Sequence, residues 1–126
     1  MKKIFFIGLT LVFIIIFGAG IMIINENNQI SKIEISDIQL DRIDDGVYEG
    51  SYGTNMIHAQ VEVEVKDNKI TKIVILEHKN GKGKKAEEIV ADIIEQQTLN
   101  VDVISSATGS SQVIKKAVEQ ALLNDK

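Results

Sequence analysis

The 126-residue chain contains no Cys, no Pro and no Trp, and it holds only two Tyr. Without Cys there is no disulfide, no thiolate nucleophile and no thiolate metal site. The lipid-acceptor Cys of a lipoprotein is also missing. The four Phe are Phe5, Phe6, Phe13 and Phe17, so the chain beyond Phe17 has no Phe at all. Positive charge is scarce too. From Asn25 to Lys126, 12 Lys and Arg face 18 Asp and Glu, a formal charge of 12 − 18 = −6. Such a balance argues against a nucleic-acid partner, because phosphate contacts need clustered Lys and Arg.

What the chain does have is one long apolar run. Ile4 to Ile24 is 21 residues without a charge, and 17 of them are Ile, Leu, Val, Phe, Met or Ala. A bilayer-spanning helix needs about 20 such residues. A domain built from the 102 residues of Asn25 to Lys126 is too small to bury this run on all sides. The run is longer than the core of a signal peptide, and apolar Ile21-Met22-Ile23-Ile24 follows Gly18-Ala19-Gly20, where a cleavage site would be sought. An uncleaved anchor is therefore favoured over a cleaved signal. Lys2 and Lys3 place the N-terminus in the cytoplasm and the following domain outside it. Three segments follow from this reading: residues 1–24 as anchor or signal, 25–44 as a juxtamembrane connector, and 45–126 as the domain. Asn25 to Gln29 reads as a short exposed polar stretch, and Ile30 to Ile43 as a connector with one strand.

The domain alternates between two periodicities. Val47 to Tyr52, Ile57 to Lys66 and Ile70 to Glu77 read as three strands of an antiparallel meander. Val61, Val63 and Val65 alternate with Glu62, Glu64 and Lys66, and the near-continuous Ile and Val of the third strand suggest a central position. Asp67-Asn68-Lys69 supplies the turn. Ala86, Ile89, Val90, Ile93 and Ile94 then fall at helical spacing, predicting a helix over Lys85 to Gln97. Leu99 to Ile104 reads as a short strand, and Gln112 to Asn124 as a second helix capped by Ser110 or Ser111. The fold class is α+β: a small antiparallel sheet with two packed helices, preceded by one transmembrane helix.

Few residues offer chemistry. Gly81-Lys82-Gly83-Lys84-Lys85 lacks the spacing and the hydroxyl of a nucleotide-binding loop. His58 and His78 are the only histidines and have no companion ligands at metal-binding spacing. His78 opens the Gly-rich loop, which suits contact with a ligand. Ser105 to Ser111 holds only small residues and no nucleophile elbow. Ahead of a helix, small side chains let backbone N–H groups reach an anion. Hydroxyls there can contact a phosphate or be esterified by one. This points to a phosphate-bearing ligand at the start of the last helix.

Asp102-Val103-Ile104-Ser105-Ser106-Ala107-Thr108-Gly109-Ser110-Ser111 resembles the flavinylation motif of the FMN-binding domain family. That family includes flavin-carrying components of the sodium-translocating NADH:quinone oxidoreductase and of the related Rnf electron-transport complex. Asp45-Gly46-Val47-Tyr48-Glu49-Gly50 looks like the family's opening motif. Val61 to Val65 with Lys69 to Ile73 looks like its hairpin, and Glu77-His78 with Gly81 and Gly83 like its loop before the first helix. Ala117 to Leu122 looks like its closing helix.

The resemblance implies FMN joined by a phosphoester to the Thr108 hydroxyl, installed by a flavin transferase outside the cytoplasm. Asp102 and Ser105 match positions that the transferase reads. Ser106, Ala107, Gly109, Ser110 and Ser111 complete the cofactor-binding stretch, with His78, Gly81 and Gly83 beside it. Tyr48, Tyr52 and Met56 join His78 as candidates for contacting the ring. Ser106 stands where the family usually has Gly. If that Gly serves a positive φ, Ser strains the turn; if it serves only close approach, Ser is small enough. Gly109 adds flexibility next to the acceptor.

The implied function is an electron relay between membrane redox partners, with a dehydrogenase upstream and a reductase, quinone or extracellular acceptor downstream. It would be an electron carrier more than an enzyme with its own substrate. The alternatives are a flavin-free binding or structural module and a small-substrate flavin reductase.

Overall fold

A computed structural model of the chain describes residues 2–79 and 83–123. Helix α1 (Lys2–Ser31) is followed by strands β1 (Gly46–Gly53), β2 (His58–Lys66) and β3 (Lys69–Lys79), then helices α2 (Ile89–Gln96) and α3 (Thr108–Leu123). Short 3-10 helices at Leu40–Arg42 and Lys84–Glu88 precede β1 and α2. Among the described residues the sheet is antiparallel, with strand order β1-β2-β3. The architecture is α+β with an apolar N-terminal helix, as the residue pattern predicts.

Strand β2 is the central one, not β3. Its alternation is complete: Ala59, Val61, Val63 and Val65 are buried, and the residues between them are partly exposed. The denser Ile and Val run of β3 belongs to an edge strand whose pairing with β2 shifts register at Gln60/Val61 and at Glu64/Val65. Asp67 (φ 52°) and Asn68 (φ 61°) form a two-residue turn between β2 and β3. Two successive positive φ angles match the right-handed twist of the flanking strands.

Helix α3 covers one face of the sheet with Val113, Ile114, Ala117, Val118, Ala121 and Leu122, all buried. Each fully buried Val on β2 contributes roughly 1.5–3 kcal/mol of hydrophobic stabilisation. β1 reaches α3 through Gly50, where a Cβ would lie 2.3 Å from both Ala117 O and Ala121 N. Any side chain there would drive strand and helix apart. Helix α2 ends at Gln97 (φ 54°), whose side chain accepts from Ile70 N–H (2.8 Å) and donates to Ile70 O (2.9 Å). One Gln side chain thus ties the end of α2 to β3.

The structure departs from the sequence expectations in four further places. The polar stretch after Ile24 is not exposed coil: α1 runs on to Ser31 and buries Glu26. The segment Ile30 to Ile43 contains no strand, yet Ile33 and Ile38 enter the core. It is strapped along α3, where Ser36 N–H donates to Glu119 Oε2 (3.2 Å) and Lys116 Nζ to Glu34 O (2.8 Å). The helix read over Lys85 to Gln97 starts in 3-10 form and becomes α-helical only at Ile89.

Leu99 to Ile104 is not a strand and pairs with none. The Val101 carbonyl goes to Lys115 Nζ (2.9 Å) and the Ile104 N–H to Ser111 Oγ (3.0 Å), so α3 side chains replace a strand partner.

Candidate functional site

The last helix begins at Thr108, one turn earlier than its apolar spacing suggests. Ser110 and Ser111 are therefore inside the first turn and do not cap it. Both are buried, at 2% and 0% exposure. Ser111 Oγ donates back to Ala107 O (2.7 Å) and accepts from Ile104 N–H (3.0 Å). The residue preceding the helix is Ala107, whose carbonyl receives the Ser111 N–H (2.9 Å). Ala has no side-chain oxygen with which to cap. The N–H groups of Thr108, Gly109 and Ser110 thus open the helix with no intrahelical acceptor, at its positive end. A helix start in this state is suited to an anion.

The loop ahead of it is a tight turn. Ala107 N–H donates to Ile104 O (2.9 Å), and Ser106 takes φ 63°. A positive φ at the third residue of such a turn is the type II pattern, which favours Gly. The Gly-for-Ser question posed by the sequence is thereby answered: the position asks for a conformation, and Ser106 adopts it at a cost. The turn sorts the motif into two sets. Asp102, Ser105, Ser106 and Thr108 are exposed, whereas Ala107, Ser110 and Ser111 are buried beneath them.

Lys115 holds the base of this loop and is not part of any sequence expectation. It lies seven residues after Thr108, two helical turns along the same face, and is only 8% exposed. Its ammonium donates to Val101 O. Burial pushes the ammonium below the ordinary lysine value, and the Asp102 charge partly restores it. A Lys at this spacing in an apolar helix face is the signal by which it could have been noticed.

Gly109 serves space rather than flexibility. A Cβ there would lie 2.8 Å from Ile30 Cδ1 and 3.0 Å from Ile57 Cδ1. The end of α1 and the β1–β2 loop therefore meet the start of α3. Glu26 of α1 fixes the same loop: Thr54 Oγ1 donates to Glu26 Oε1, and Met56 N–H to Glu26 Oε2 (3.2 Å). Gln29 Oε1 accepts from Asn55 N–H (3.0 Å). An open cleft of about 400 Å³ lies beside these contacts, lined by Gln29, Lys32, Tyr52, Gly53, Thr54 and Asn55.

The other expected residues divide between the two ends of the sheet. Tyr52 and Met56 lie at the end where α3 starts. Tyr48 lies along β1 toward the other end, its hydroxyl donating to Asp44 O (2.5 Å). His78 pairs with Ala59 at the α3-start end. Its side chain is 3% exposed, with Nδ1 3.4 Å from Glu87 Oε2, so it faces the 3-10 helix rather than solvent. Gly83 is buried and its carbonyl accepts from Ala86 N–H (2.9 Å), starting that 3-10 helix. Gly81 lies outside the described residues.

The FMN-binding domain family matches residues 53–123, more than half of the chain. The chain belongs to this family. No curated protein and no solved structure matches it. As an FMN-binding domain, its matched region takes in β2, β3, both packed helices and the whole turn before Thr108. The uncapped start of α3, with Thr108 exposed as its first residue, fits the phosphate end of FMN.

Proposed function

We propose that this flavin-binding protein is a membrane-anchored electron carrier, with FMN esterified through its phosphate to Thr108 and the domain outside the cytoplasm. The observation that carries this reading is the position of Thr108. It is an exposed residue at the start of an uncapped helix, directly after a segment whose exposed polar side chains are Asp102, Ser105 and Ser106. The N–H groups of the first turn would hold the phosphate, and Ser111 and Lys115 would keep the turn in shape. FMN supplies the redox chemistry; the chain positions it and keeps it from diffusing away.

The anchor is supported by two features. Helix α1 is long and apolar enough to cross a membrane, and none of its apolar window is buried against the domain. Its last turns are hydrogen-bonded to the domain through Glu26 and Gln29, which favours retention over removal as a signal. Lys2 and Lys3 orient it with the domain outside. Maturation would require a flavin transferase on that side, and the electron donor and acceptor would be membrane redox partners.

The test is expression of the full chain with a flavin transferase, beside a Thr108→Ala variant. Denatured samples are read by in-gel flavin fluorescence and intact mass. Flavin on the wild type and none on the variant is the expected result. Flavin on neither, with a control domain labelled in parallel, would instead support a flavin-free binding module.

A further inference from the structure

The apolar stretch of α1 ends at Ile24, but the helix continues unbroken to Ser31. At a rise of about 1.5 Å per residue, Glu26 lies ~3 Å and Ile30 ~9 Å beyond Ile24 along the axis. A headgroup layer is roughly 5–8 Å thick on each side of the hydrocarbon core. The domain is fastened to α1 within this layer and at its outer edge. Glu26 takes Thr54 Oγ1 and Met56 N–H, Gln29 takes Asn55 N–H, and Ile30 packs at Gly109. The junction is therefore not a free swivel.

We propose that the β1–β2 loop, Thr54 to Ile57, and the first turn of α3 form a face seated in the lipid headgroups, which sets Thr108 at the bilayer surface. This rests on the reading of α1 as a retained anchor. The chemistry of the loop suits that occupant. Thr54, Asn55, Met56 and Ile57 carry no charge, and Met56 is 46% exposed. The one carboxylate at the junction, Glu26, is 5% exposed and turned inward onto the loop. Lys32 follows the end of α1, ~12 Å past Ile24, and its long side chain can reach back toward the lipid phosphates. The opposite end of the sheet, at Lys66 to Lys69, is separated from this face by the nine residues of β2, roughly 30 Å. The acidic outer side of the sheet, with Glu49 opposite Glu62, is likewise no part of it.

A chain without Cys allows single labelling sites. The full chain is placed in nanodiscs whose lipids carry a nitroxide on the headgroup or in the acyl chain. A fluorophore is attached in turn to Ile14→Cys, Met56→Cys and Lys69→Cys. The acyl-chain nitroxide should quench the label at Ile14→Cys. The headgroup nitroxide should quench the label at Met56→Cys at least about threefold more than that at Lys69→Cys, which lies roughly 30 Å away along β2. Adding Glu26→Ala to Met56→Cys should bring its quenching toward the Lys69→Cys level while Ile14→Cys stays quenched.

Equal quenching at Met56→Cys and Lys69→Cys, with Ile14→Cys quenched, would overturn the seated face and leave the anchor standing. Absence of quenching at Ile14→Cys would remove the anchor and the face together. None of these readings requires flavin, so they are independent of the outcome at Thr108.

Discussion

At Ser106 the backbone holds φ 63°, a region that costs a residue with a Cβ about 1–2 kcal/mol. Its hydroxyl donates to Ser105 O (2.6 Å) and partly offsets that cost. Gly has no such steric penalty but loses more chain entropy on folding. Ser106→Gly should therefore raise stability modestly, by about 0.5–1 kcal/mol, whereas β-branched Ser106→Val should lower it by about 1–2 kcal/mol. Urea denaturation of the three proteins checks the order. Ser106→Gly should also speed flavin loading if the transferase requires the turn preformed, which a time course of in-gel fluorescence reads directly. Gly50 and Gly109 differ from this case. Their φ angles need no Gly: at Gly50 the α3 backbone leaves no room for a Cβ, and at Gly109 a Cβ would have to displace the terminal methyls of Ile30 and Ile57.

At the scale of elements, the unpaired segments are held by side chains rather than by ladders. Asp37 in the connector takes Thr98 Oγ1 (2.8 Å), Ile38 N–H (2.9 Å) and Leu99 N–H (3.2 Å), joining the connector to the end of α2. Partial burial pushes the Asp37 carboxyl upward, but these three donors outweigh it and hold it below the ordinary value of 3.8. A carboxyl depressed on folding stabilises at pH above its unfolded value and loses that contribution as pH falls through its folded value. Wild type should thus be more stable than Asp37→Asn at neutral pH, with the gap closing below pH 3.8. Thermal melts of both proteins between neutral pH and about pH 2 measure it. Lys115 shows the same principle on the other side of the loop: an ammonium taken from water to hold one carbonyl, Val101 O, in place.

At the scale of the whole molecule, the connector is part of the core and not a tether. Ile33 and Ile38 are each 9% exposed and join the cluster made by β2, β3 and α3. Truncating either should leave a cavity. Ile33→Ala and Ile38→Ala are each expected to cost about 2–4 kcal/mol, while Ile14→Ala on the uncovered part of α1 should leave domain stability unchanged. Chemical denaturation in detergent micelles, followed by circular dichroism, separates the two classes. The result bears on function, because the connector joins α1 to the middle of α3 at Lys116 and Glu119, while Ile30 of α1 meets the start of α3 directly.

Much of this protein was determined by sequence alone, wherever the deciding interaction is local or periodic. The alternation of Val61, Val63 and Val65 requires one buried face, and the spacing of Ile89, Val90 and Ile93 a helix. The charge-free run to Ile24 needs nothing beyond its length to mark a candidate span. The motif around Thr108 was legible because its small residues and hydroxyls are contiguous. Tertiary structure decided what depends on distant partners. Ser110 and Ser111 look like caps until the helix begins at Thr108 and buries them. Leu99 to Ile104 looks like a strand until α3 satisfies its backbone. Glu26 looks like solvent-exposed polar chain until the β1–β2 loop supplies Thr54 and Met56 as donors. A backbone group or carboxylate leaving water must find a partner, and that partner lies 7 to 30 residues away in these cases. Residue order along the chain does not reveal such pairings; packing makes them.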